Sequence, residues 1–279
     1  MRLHVTDLRR PAGAIAILAA TAGLVLAGCG GNSGSTGSGG ANVASTSSAG
    51  TGSGSSSTSS PASSSGGGSA STVASASAPF PIAVGDTWTY KNAEGEGIGG
   101  TTINKILSVT QVSSGQKVDM GATITVGGST TQNSSFYIFE PDGAISVPFN
   151  QFSSADSGAQ VELLSGGIFW PPLAALQSGQ TTHSTLKIAY KINGQKQVVT
   201  AHIAVKGGGS RTVTVPAGTY DTTVVNMTMS EKVEGFSVTI DVRTWLASGI
   251  GPVKSEAILG GIAGNKVASE NELVSFHKG

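Results

Sequence analysis

The sequence predicts an all-β fold: a single antiparallel domain, a curved sheet or half-open barrel of about ten to eleven strands, preceded by a signal peptide and a disordered linker. Three observations carry this. Runs rich in Thr, Val and Ile alternate with turns containing Gly, Pro or Asp. Two hairpins place apolar residues opposite apolar residues in the one register that their two-residue loops dictate. One face of the strands reads apolar and the other polar, the habit of antiparallel sheets. Curvature or partial closure lets so many strands coexist without long exposed edges.

The first 28 residues read as a signal peptide. Arg9-Arg10 form a positive start, and Ala14-Ile15-Ala16-Ile17-Leu18-Ala19-Ala20 form an apolar run too short and too poorly flanked to span a membrane. The run ends at Leu26-Ala27-Gly28-Cys29, which resembles the bacterial lipobox, where a diacylglyceryl group is added to the Cys thiol and the signal is cut just before it. That reading makes Cys29 the lipid attachment point. It also accounts for a single cysteine in an exported chain with no disulfide partner.

Residues 29–78 follow as a tether. From Gly30 to Ala78 there is no charged and no aromatic residue, so this stretch buries too little apolar surface to offset the entropy of ordering it. As a flexible coil it would span on the order of 40 Å, enough to hold a domain off a membrane. The remainder, residues 79–279, is one domain large enough to bury roughly 70% of its unfolded surface.

Charge excludes some partners. Setting aside Arg2, Arg9, Arg10 and Asp7, which precede Cys29, leaves 13 of the 16 basic and 15 of the 16 acidic residues. No basic block or stripe is present, so neither nucleic acid nor a polybasic membrane patch is expected.

Along the domain, Val84-Gly85-Asp86-Thr87-Trp88-Thr89-Tyr90 is a turn running into a strand. Strands follow at Thr101 to Val112, Lys117 to Val126 and Ser134 to Phe139. Glu140-Pro141-Asp142-Gly143 then supplies a hairpin loop that sets Phe139 opposite Ile145. With Asn193-Gly194 as a loop, Ile188 meets Val199 and Leu186 meets Ala201. With Glu234-Gly235 as a loop, Val233 meets Phe236, Met229 meets Ile240 and Met227 meets Val242. Arg211 to Val215, Val253 to Leu259 and Lys266 to Phe276 complete the strands, Leu173 to Gln177 reads as a short helix, and Asn150 to Gln180 as the longest irregular segment.

Motifs for chemistry are weak. Gly95 to Gly100 matches G-x-G-x-x-G, but a strand-like run follows it where dinucleotide binding needs a helix, and Glu94 and Glu96 would repel phosphate. No G-x-S-x-G elbow is present. His183, His202 and His277 sit on three separate strands without close ligand neighbours, so no metal and no cofactor is expected. Glu94/Glu96 and Glu270/Glu272 would each share a strand face, as solvating pairs before catalytic ones. Trp88, Phe169, Trp170 and Trp245 stand out in a chain poor in aromatics; core packing is the plain reading and the lining of a ligand cavity the alternative.

Val84 to Tyr90, Val215-Pro216-Ala217-Gly218-Thr219-Tyr220-Asp221 and Trp245 to Lys254 together resemble a family of uncharacterised bacterial envelope proteins, often lipoproteins. In that family a VGDxWxY start, a VPAGxYD turn and a WxAxGxGxVK corner recur in this order. The resemblance brings no catalytic residue with it. More distantly, the arrangement is similar to lipoprotein carriers whose half-barrel holds acyl chains.

The expectation is therefore a lipid-anchored protein of the bacterial envelope, exported across the cytoplasmic membrane. Its membrane contact is through Cys29, and it acts as a non-enzymatic binding or assembly module for an envelope protein or an apolar ligand. The second reading is a carrier of lipid in a half-barrel, and the third a hydrolase with an unrecognised site.

Overall fold

Alternation of β-branched and polar residues produces thirteen antiparallel strands in a computed structural model that describes residues 81–94, 99–147, 160–192, 195–233, 236–260 and 266–279. In chain order they are β1 Thr87–Glu94, β2 Gly99–Val112, β3 Gly115–Val126, β4 Ser129–Phe139, β5 Ile145–Val147, β6 Gln160–Gly166 and β7 Ile168–Trp170. After the helix α1 (Leu173–Gln177) come β8 Thr181–Ile192, β9 Gln195–Val215, β10 Gly218–Val233, β11 Phe236–Ala247, β12 Gly251–Gly260 and β13 Lys266–His277. All belong to one sheet, ordered β6-β8-β9-β10-β11-β12-β13-β1-β2-β3-β4-β5-β7.

The two ends of that order, β6 and β7, are consecutive in sequence. Gln160 to Gly166 pairs with β8, and after Gly167 the same run of chain pairs with β5. A bend is needed there, and Gly166 supplies it with φ of 84°, where a Cβ would overlap the Thr185 carbonyl oxygen. One bent segment thus joins both edges, and the sheet becomes a nearly closed barrel of up-and-down strands.

The structure corrects the expected strand count from ten or eleven to thirteen. The difference lies mainly in β6 and β7, which fall within the stretch read as irregular. Each is short, and they flank a Gly-Gly pair that reads as a loop. Arg211 to Val215 is the end of β9 rather than a strand of its own: Gly207-Gly208-Gly209 passes through a bulge opposite Thr223 and Val225 without breaking the ladder.

The hairpin registers hold. Ile188 pairs with Val199 and Leu186 with Ala201; Val233 pairs with Phe236, Met229 with Ile240 and Met227 with Val242; Phe139 pairs with Ile145. The loop dipeptides Asn193-Gly194 and Glu234-Gly235, residues 95–98 of the glycine-rich stretch, the signal peptide, Cys29 and the tether lie outside the described residues.

Strand direction gives the barrel two ends. At one, here called the closed end, are the β2–β3, β4–β5, β9–β10 and β11–β12 turns and α1. At the other, the tip end, β1 runs into β2, β3 into β4, β8 into β9, β10 into β11 and β12 into β13. The closed end is packed with Trp88, Tyr90, Ile106, Val118, Phe139, Ile168, Trp170 and Leu273, all buried. α1 is pressed against the inner wall there: Leu176 is buried, and a Cβ on Gly207 of β9 would overlap the Leu176 carbonyl oxygen. Glycine at 207 is what permits that approach.

Candidate functional site in the barrel interior

The first strand ties the closed end together. Asp86 is buried; its carboxylate accepts from the Ala83 amide at 2.9 Å and the Gly279 amide at 3.0 Å, so it pins the entry to β1 beside the end of β13. Trp88 and Tyr90 follow at alternate positions and face inward. Trp88 Nε1 donates to the Ile250 carbonyl at 2.7 Å, and Tyr90 Oη donates to the Pro252 carbonyl at 2.9 Å. Both acceptors lie in the corner between β11 and β12, which turns on Gly249 and Gly251 at φ of 71° and 99°. The β9–β10 turn joins them: Ala217 N donates to the Leu273 carbonyl at 2.9 Å, and Leu273 pairs with Tyr90. Burial raises the Tyr90 pKa, with the nearby Tyr137 adding to the shift, so the phenol stays a neutral donor. The three quoted sequence stretches therefore meet at one end of the barrel and do architectural work.

The interior also carries polar side chains, part of them level with these aromatics: Asn104 pairs with Trp88 and Thr102 with Tyr90. Thr244 pairs with Ser255, Ser255 with Asn271, and Asn271 with Asn92, an unbroken inward-facing row across β11, β12, β13 and β1. All four are buried, as are Thr102 and Asn104 on β2. Asn92 Nδ2 donates to Thr102 Oγ1 at 2.7 Å and Asn271 Nδ2 to Ser255 Oγ at 3.2 Å. Three oxygens in this region, Asn92 Oδ1, Asn104 Oδ1 and Thr244 Oγ1, have no hydrogen-bond partner among the described residues. A buried polar atom left so costs about 1–3 kcal/mol, so such atoms are normally met by water or a ligand. Beside Asn104, Met120, Ala122 and Tyr137 the wall leaves a cavity of about 10 Å³, room for roughly one water.

The opposing wall is apolar. Leu186 and Ile188 of β8, Val199, Ala201, Ile203 and Val205 of β9, Met227 and Met229 of β10, and Ile240 and Val242 of β11 are all buried. Two residues break the pattern: Ser184 of β8, whose buried Oγ has no partner among the described residues, and Glu231, which is 3% exposed, shares the inward phase of Met227 and Met229, and has both carboxylate oxygens unpaired among the described residues. Loss of hydration pushes its pKa up to about 7. Sequence reading passed over it, although the Glu234-Gly235 register already placed Glu231 in phase with the two methionines.

The residues singled out from sequence are not gathered into one site. Trp88 and Trp170 are buried at the closed end; Trp88 stacks on Phe276 with ring centroids 5.2 Å apart, and Trp170 Nε1 is unpaired. Phe169 is adjacent to Trp170 on β7 and takes the other face by alternation, half-buried where Trp170 is buried. Trp245 is half-buried on the outer face, with Arg243 and Lys254 within 6 Å of its ring at 5.8 and 5.6 Å. Trp245 and Lys254 are direct cross-strand partners, and Lys254 also meets Glu256 at 3.4 Å, Glu272 at 3.5 Å and Glu270. Burial works to lower the Lys254 pKa, but hydrogen bonds and charge from Glu270 and Glu256 outweigh it and leave it raised. Glu270 and Glu272 share a face, as their spacing predicts, and their partner is this lysine. His183, His202 and His277 are exposed on separate strands, His202 pointing away from the apolar face as expected.

The DUF3108-like family model matches residues 83–271, which contain the polar row and the apolar wall of the interior. A putative lipoprotein from Parabacteroides distasonis ATCC 8503 has a similar fold, with a TM-score of 0.52 at 15% identity over 72% of this chain and 99% of that one. A putative exported protein with YmcC-like fold from Bacteroides fragilis NCTC 9343 aligns with a TM-score of 0.49 at 19% identity over 71% and 98%. No curated protein matches the chain.

Proposed function

The chain belongs to the DUF3108-like family, and from that premise we propose that it is an exported binding module of the bacterial envelope, held to a membrane by a lipid on Cys29, with the interior of the barrel as its ligand site. The observation that carries the binding role is the pairing of two unlike walls. One is polar and bears buried oxygens without partners among the described residues, and the other is largely apolar but interrupted by Glu231 and Ser184, whose side-chain oxygens also have none there. Together they suit an amphipathic small molecule better than a purely apolar one. The aromatic residues at the closed end are already committed to packing and backbone hydrogen bonds. They brace the closed end rather than line the site.

The anchor rests on Leu26-Ala27-Gly28-Cys29 and the apolar run before it, and the similarly folded P. distasonis protein is itself described as a putative lipoprotein. The role is binding rather than catalysis. Cell fractionation tests the anchor: the wild-type chain should pellet with membranes and Cys29→Ser should not, and a pelleted Cys29→Ser protein would refute it. Native mass spectrometry of the chain purified from its own cells tests the binding role through a co-purified small molecule.

A carrier of lipid between membranes is the second reading, favoured by the apolar wall of β8–β11. Such a carrier would release its cargo to acceptor vesicles, whereas a simple binding module would not.

A further inference from the structure

Glu231 lies close to the tip end: one residue separates it from the last residue of β10, as one separates Asn92 from the last residue of β1. Its ladder partners are Ala201 on β9 and Val238 on β11, and Ala201 in turn pairs with Leu186 on β8. Around it on the inward face of these strands stand Val199, Ile203, Met229 and Ile240, none of which titrates or donates a hydrogen bond. The strand connections 193–194, 234–235 and 261–265 contain no Lys or Arg, and Lys191, Lys196 and Lys232, which border them, fall in the outward phase of their strands. Asp86 and Glu231 are the buried charged side chains among the described residues, and Asp86 is satisfied by two amides. Glu231 has no counterpart of that kind.

A carboxylate in such a place is costly unless something pairs with it. The fold has no need of it: leucine or methionine at 231 would continue the row of Met227 and Met229. An ionised carboxylate only accepts hydrogen bonds, so its complement is a donor, and the strongest complement is a cation. The surrounding wall would accept the apolar part of the same molecule.

Resting on the interior as the ligand site, we propose that Glu231 is the anchor for the protonated amine of a cationic amphiphile whose apolar part lies along Met229, Ile203 and Ile240. A hydrogen bond to a charged group contributes about 1.5–3 kcal/mol, so its loss weakens binding about tenfold or more.

The test uses the full-length chain carrying Cys29→Ser, with and without Glu231→Gln, and three probes of equal chain length: dodecylamine, dodecanol and dodecanoate. Affinities are measured by isothermal titration calorimetry near neutral pH, with circular dichroism confirming that both proteins are folded. The expected result is that dodecylamine binds at least about tenfold tighter than dodecanol, that dodecanoate binds least, and that Glu231→Gln removes the preference for the amine while leaving dodecanol unchanged. Glu231→Leu, which cannot leave a polar group stranded, should do the same. Equal binding of dodecylamine to wild type and Glu231→Gln would overturn the anchor role while leaving the interior as a ligand site. No binding of any of the three probes would overturn both.

Discussion

Glu231→Gln should make the protein more stable above neutral pH and change it little in mild acid. The folded-state pKa is raised from 4.5 to about 7, so the folded protein holds this proton to higher pH than the unfolded chain does. The sign follows directly: stability is whole below the unfolded value, falls as pH rises between the two, and levels off above the folded value. A shift of about 2.5 units at 1.36 kcal/mol per unit gives a loss of about 3 kcal/mol in the wild type, which Gln, neutral throughout, avoids. The described inward-facing neighbours of Glu231 on the adjoining strands, Val199, Ala201, Ile203, Met229, Ile240 and Leu186, do not titrate, so none of them offsets the effect. Urea unfolding followed by circular dichroism at about pH 5 and about pH 8 reads the difference as a change in midpoint at constant slope. The reasoning fails if the gap between variant and wild type is the same at both pH values, because that would mean the carboxylate is paired or hydrated in the folded state.

Three further outcomes follow from the packing. Tyr90→Phe leaves the buried Pro252 carbonyl without its donor and should cost about 1–3 kcal/mol by urea unfolding; no change would mean that water replaces the phenol freely. Gly207→Ala forces a methyl into the Leu176 carbonyl and should cost about 1–3 kcal/mol by the same assay, with α1 displaced in a crystal structure, whereas Gly99→Ala serves as a control, its Cβ meeting nothing closer than the Asn92 carbonyl oxygen at 4.0 Å. Lys254→Met removes the shared partner of Glu256, Glu270 and Glu272 and should lower the melting temperature at low salt. The deficit should shrink as salt is added, because the remaining repulsion among partly exposed carboxylates is screened; a deficit insensitive to salt would point to lost packing on Trp245 instead.

How far the fold was legible depended on the period of the signal. Where two strands share a two-residue loop, the alternation of two fixes every partner, and Ile188–Val199 and Met229–Ile240 could be paired from sequence alone. The helix Leu173–Gln177 was legible from the prolines that precede it. Closure was not, because it depends on which strand edge Gln160 to Trp170 meets beyond its own neighbours, and Gly166-Gly167 resembles a loop until a bend is required. The candidate site was hidden for a different reason. Asn92, Asn104 and Asn271 share the inward phase of Tyr90, Ile106 and Leu273, and a polar residue near the end of an apolar alternation carries no signal of whether it is covered. The closing of the sheet is what buries them. Glu231 was legible in its phase and missed because a carboxylate was expected outside. Places where a local rule is broken at a buried position are where function tends to lie.

The central claim is that the interior of this barrel holds a small amphipathic molecule. A high-resolution crystal structure of the full-length chain purified from its own cells tests it most directly. The account predicts continuous non-protein density against Glu231 and at least one of Asn92 Oδ1, Asn104 Oδ1 and Thr244 Oγ1, the atoms without protein partners. Isolated waters on those oxygens, with the apolar wall closed over by the protein's own side chains, would contradict it.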